Sequence, residues 1–109
     1  MSESTFSPDE IYERLRMAGE DWVDKDAAAS LLEETKKTVL AELMGGFQGS
    51  SAERERNALA DSAYRLHLTK MNAARKEANR SKVRYDSMKV LAEMRRTQES
   101  TRRHEMGMR

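Results

Sequence analysis

From Ser51 to Met106 the chain contains neither glycine nor proline. A run that long, rich in Ala, Arg, Lys, Met and Glu, has one regular structure open to it. These side chains lose little rotamer freedom in an α-helix, and nothing in the run breaks the backbone ladder. At ~1.5 Å per residue, the part from Ala63 to Met106 alone makes roughly 65 Å of rod if it stays straight. Such a rod outruns a helix laid beside it. Its distal half must pack on another subunit, fold back, rest on a partner or fray.

The same boundary divides the charge. Residues 1–50 hold eleven acidic side chains against five basic, and residues 51–109 hold fifteen basic against eight acidic. The formal net charge of +1 conceals this dipole. A basic helix on that scale calls for phosphate or an acidic protein surface as its counterpart. With 109 residues and only six aromatics there is one domain's worth of chain and too little apolar mass for a large compact core. The abundance of Ala, Glu, Lys, Leu and Arg is that of coiled coils and long helices. Cysteine is absent, which removes disulfides, thiolate metal sites and thiol catalysis. No stretch approaches the ~18 apolar residues of a membrane span, and Met1 to Thr5 is acidic where a signal peptide is basic. A soluble protein of the cytoplasm is the expectation.

The punctuation predicts an all-α fold: a short N-terminal helix, a helical hairpin and a long basic C-terminal helix with coiled-coil-like packing. In Phe6-Ser7-Pro8-Asp9-Glu10-Ile11, Ser7 can cap, Pro8 suits the first helical position and Glu10 completes a capping box, while Phe6 can staple onto Ile11. This first helix is expected over 8–17, fading ahead of Gly19, with Ile11 and Leu15 on its apolar face. Residues 20–24 then read as a short connection anchored by Trp22; a base-stacking role for that ring is disfavoured by the carboxylates around it. An acidic helix is expected over 25–44, with Ala28, Leu31, Leu32, Thr35, Val39 and Leu43 as its core face and a Glu33–Lys37 pair outside it. Residues 45–50 form a Gly-rich turn, and Ser50 with Glu53 repeats the capping-box signature. The basic helix then spans 51–106, with a possible break near 61–62, where Asp61 can act as an internal cap.

Two patterns run along that last helix. Met71, Ala74, Ala78, Ser81, Tyr85, Met88 and Ala92 recur at alternating steps of three and four, a heptad seam of small and soft side chains. It is either a packing face of this fold or its homo-oligomer, or a groove for a partner helix. Beside it Arg75, Lys82, Lys89, Arg96 and Arg103 fall at intervals of seven. Seven residues drift only ~20° from two full turns, so five cations share one side of the helix. They either follow a phosphate backbone, each contact releasing counterions, or pair with carboxylates of the first half such as Asp26, Glu33, Glu34 and Glu42. Lys76, Arg80, Arg84, Arg95 and Arg102 spread further charge around the helix, which favours general electrostatics over a sculpted, base-reading site.

Chemistry of other kinds is not indicated. His67 and His104 stand 37 residues apart with no ligand cluster nearby, so no metal site is expected. The stretch Gly45 to Ser51 looks superficially like a phosphate loop, yet it lacks the lysine and the preceding strand. There is no nucleophile with an adjacent base, and the expectation is a protein that is not an enzyme, takes no cofactor and has no small-molecule substrate.

The stretches Tyr64 to His67, Ala78 to Ser87 and Met94 to Arg103, together with Ala18 to Trp22, resemble small helical accessory proteins encoded by tailed bacteriophages and prophages. Most of the chain takes part. The resemblance implies an accessory factor acting on nucleic acid or on a nucleic-acid enzyme, and it assigns no residue a role. The expected function is therefore a phage accessory protein that self-associates and contacts nucleic acid, or a complex that processes it, through the basic helix. A phage inhibitor binding only a host-defence protein and a virion scaffold component are the alternatives, since each needs only a charged helical rod.

Overall fold

The computed structural model describes residues 7–107, and every regular element among them is an α-helix. In chain order these are α1 (Pro8–Glu34), α2 (Lys36–Met44), α3 (Ser51–Leu59) and α4 (Ser62–Gly107). The fold is all-α and ends in a long basic helix, as the run free of glycine and proline demanded, although that run holds two helices, α3 and α4. Two compact units divide it: one holds the described residues through Trp22 together with those from Arg80 onward, the other holds Val23–Asn79. Phe6 lies outside the described residues, and with it the expected staple.

The first expectation to be corrected is the break after residue 17. α1 runs through Gly19 and the supposed connection at 20–24 without interruption. Glycine in a helix interior costs ~1 kcal/mol relative to alanine, and two features of the sequence offset that here. Arg16 bridges the position, donating to Glu13 at 2.7 Å and to Glu20 at 2.8 Å. In addition, Ile11, Leu15, Ala18, Trp22, Lys25, Ala29 and Leu32 continue one heptad column straight through it. The helix start is as expected, with Ser7 Oγ accepting from the Glu10 amide at 3.2 Å.

The expected helix over 25–44 is likewise redivided, because a turn at Thr35 separates α1 from α2. Thr35 Oγ1 donates back to the Leu31 carbonyl at 2.8 Å and lies 3.3 Å from that of Leu32, the back-bonding that bends helices. His67 Nε2 also reaches the Leu32 carbonyl, at 2.8 Å, and to donate there it must carry the ring proton. Of the expected core face, Leu32, Thr35, Val39 and Leu43 are partly covered, but Ala29 is the fully buried residue, whereas Leu31 is 61% exposed and Ala28 is exposed. Glu33 turns to Arg75 rather than to Lys37.

Within the unit Val23–Asn79, the later part of α1 and the early part of α4 run antiparallel. Lys25 meets Glu77 at 3.3 Å, and Asp26 meets Arg75 at 2.6 Å. Ala29, Ala58 and Ala78 are fully buried, and Tyr64 nearly so. Alanine at these points lets helix backbones approach closely. α2 and α3 pack on each other as a hairpin. Their turn is closed by Arg54, whose Nε donates to the Met44 carbonyl at 3.3 Å, and by Gly49, whose φ of +112° is closed to ordinary side chains. Ser50 then caps α3 through the Glu53 amide. The chain breaks again at Ala60 and Asp61, where Asp61 Oδ1 accepts from the Ala63 amide at 2.8 Å and starts α4.

In the other unit the first part of α1 lies antiparallel to the later part of α4. Ser81 is 1% exposed and fully satisfied, donating to Asp21 at 3.1 Å and accepting from Arg84 at 3.0 Å. The Trp22 and Tyr85 rings stack with centroids 5.8 Å apart. A Cβ on Gly19 would stand 3.0 Å from Tyr85 Cε1, so the glycine is what admits the ring.

Candidate anion-binding interface

The five cations of the heptad stripe have three different environments. Arg75 is held by Asp26 at 2.6 Å, by both Glu33 oxygens at 2.8 and 2.9 Å, and by Ser30 at 3.3 Å. The Glu33 hydrogen bonds, then those of Asp26, raise the guanidinium further above its ordinary pKa. The same bond from Arg75 lowers the Glu33 carboxyl. Asp26 and Glu33 are seven apart on α1, so one arginine bridges two turns of its neighbour.

Continuing that acidic column toward the N-terminus in steps of seven gives Gly19 and Tyr12, neither of them charged. Lys82 and Lys89 accordingly turn to their own helix. Both reach Asp86, at 3.1 and 3.4 Å, and together, Lys82 first, they lower its carboxyl pKa. Lys82 Nζ also sits 5.8 Å from the Trp22 ring centre, and Lys89 Nζ 4.8 Å from that of Tyr85. These are attractive cation–π placements on a partly exposed stack.

Arg96 and Arg103 differ from the rest. Neither has an ion pair among the described residues, and both are exposed. With Thr97, Ser100 and Thr101 they line one concavity of about 470 Å3. Two guanidinium groups and the hydroxyls of Ser100 and Thr101 in one dent constitute a donor set for an oxyanion, while the Thr97 hydroxyl donates to the Glu93 carbonyl of its own helix at 3.0 Å. The hydroxyls were not singled out by sequence reasoning. The signal was available: Arg96, Thr97, Ser100, Thr101 and Arg103 sit at offsets 0, 1, 4, 5 and 7, one broad helix face.

The seam residues are placed as follows. In the Val23–Asn79 unit, Ala78 is buried and Met71 and Ala74 are partly covered; in the other unit Ser81 is buried and Tyr85, Met88 and Ala92 are partly covered. Tyr85 meets Gly19 and Trp22, and Met88 and Ala92 line a groove with Ile11. The opposite side of α4, two positions on from the seam, leaves Val83, Val90 and Met94 exposed. Among the described residues no helix is long and apolar enough to cross a membrane, and no group of three or more His, Cys, Asp or Glu side chains could hold a metal ion.

No protein-family model, curated protein or solved structure matches the chain.

Proposed function

We propose that this is a binding protein, not a catalyst, which contacts the phosphates of nucleic acid, or of a complex that processes it, through the C-terminal part of α4. The observation that carries the reading is the concavity of Arg96, Thr97, Ser100, Thr101 and Arg103, whose two arginines have no ion pair among the described residues. Arg75 belongs to the helix-packing clamp, and Lys82 and Lys89 are divided between Asp86 and the aromatic stack. The stripe is thus functional at its distal end and structural at its proximal end. The resemblance to phage accessory proteins supplies the setting, the cytoplasm of an infected bacterium. Self-association, the other part of the reading, is supported by the exposed Val83, Val90 and Met94 on the side of α4 away from its seam.

The test is reversal of both distal arginines. Arg96→Glu with Arg103→Glu should reduce binding of short oligonucleotides at least tenfold while leaving helicity and Tm unchanged. Unaltered binding would refute this assignment of the contact.

A further inference from the structure

The polar concavity has a neighbour of opposite character. Pro8, Ile11, Tyr12, Leu15, Ala92, Arg95, Arg96 and Glu99 surround a second dent of about 240 Å3. Its floor is aliphatic, supplied by Ile11, Leu15 and Ala92. Tyr12 is 65% exposed at its edge, an aromatic ring left largely to solvent. Arg96 lines both dents, so an apolar, ring-bounded hollow adjoins a cationic, hydroxyl-lined one across a single guanidinium.

That alternation is the chemistry of an unpaired nucleotide, a flat base joined to an anionic phosphate. Base-on-aromatic stacking is tolerant of sequence because every base has a π-face, and an arginine plane adds a cation–π contribution. Arg95 and Glu99, which also line the apolar dent, carry opposite charges that offset one another, whereas the charged residues of the polar dent are cations alone, Arg96 and Arg103. A duplex keeps its bases stacked inside and offers phosphates alone. It could fill the polar dent and leave the other empty.

We propose that Tyr12 and Arg96 form a stacking site for one unpaired base whose adjoining phosphate is held by Arg96, Arg103 and the hydroxyls of Ser100 and Thr101. The ligand of this face is therefore single-stranded nucleic acid. This inference rests on the phosphate-binding role proposed for α4 and adds the class of strand.

The experiment is fluorescence anisotropy at low salt with the full chain and four labelled probes of twelve nucleotides per strand: oligo(dT), oligo(rU), an abasic deoxyribose-phosphate strand and a mixed-sequence duplex. The expected result is that oligo(dT), oligo(rU) or both bind about tenfold tighter than the abasic strand and tighter than the duplex. The better of the two names the sugar. Tyr12→Ala should bring the base-bearing strand down to the abasic level, leave abasic binding and helicity as they were, and be rescued by Tyr12→Phe. Equal affinity for base-bearing and abasic strands, or indifference to Tyr12→Ala, overturns the stacking site and leaves the phosphate contact standing. A duplex bound as tightly as the single strands overturns the strand preference. Binding of none of the probes refutes the phosphate contact itself, and this inference with it.

Discussion

Gly19 shows how one residue can mislead a local reading. In the sequence it is a helix breaker ahead of an acidic stretch; in the structure it is where the Tyr85 ring stands 3.0 Å from the place a Cβ would take. Closeness, not flexibility, is what the glycine provides. A large side chain there must displace a ring already stacked on Trp22. Gly19→Leu is expected to lower stability by about 1–3 kcal/mol, the usual consequence of overpacking, measured by urea denaturation. A neutral or stabilising result would mean that the ring moves freely. The signal that Gly19 does not end the helix was present in the column Ile11, Leu15, Ala18, Trp22, which steps by four, three and four across it. It was outweighed by composition, since Gly19 and the carboxylates after it look like loop when read one at a time.

At the scale of elements, the pairing of α1 with α4 depends on columns of side chains rather than on single contacts. Asp26 and Glu33 form an acidic column that Arg75 spans, and the same column is uncharged at Gly19 and Tyr12. Because Arg75 lowers the Glu33 carboxyl in the folded protein, the contribution of this pair is present in full above the ordinary glutamate value of 4.5 and is lost as pH falls through the depressed folded value. Wild type should therefore melt higher than Glu33→Gln at neutral pH, and the difference should close on acidification. A gap in Tm as wide well below that range as at neutral pH would show that the carboxylate charge is not what holds the clamp. Since both side chains are still in part exposed to solvent, Arg75 at 30% and Glu33 at 39%, screening keeps the expected gap modest. Of the alternatives posed for the stripe, pairing with the first half is realised at Arg75, and the exposed Arg96 and Arg103 are left for the proposed phosphate contact at the other end.

For the molecule as a whole, the division of the stripe sets how strongly the proposed phosphate binding should respond to salt. Five phosphate contacts to a single strand correspond to a slope of log K against log salt of about −3.5, and two to about −1.4. Neutralising Arg96 and Arg103 with glutamine should make the slope shallower by about 1.4, whereas Arg75→Gln should leave it unchanged. Titrations at several salt concentrations measure both. A shallower slope in Arg75→Gln would mean that this arginine leaves its carboxylates for the ligand.

Sequence alone determined the class of every element, because helix propensity, capping residues and periodicity act within a few residues of each other. It also located the turn at 45–50, the break at Asp61 and the inward and charged columns of α4. Tertiary structure decided what stands against Gly19, which alanine is buried in α1, and which of five equivalent-looking cations remain available. The physical reason is register. Which residue of α1 faces which residue of α4 depends on contacts such as Tyr85 against Gly19 and Ser81 against Asp21, and neither helix carries that information by itself. The placing of Tyr12 and Arg96, 84 positions apart in sequence, on one hollow is of the same kind.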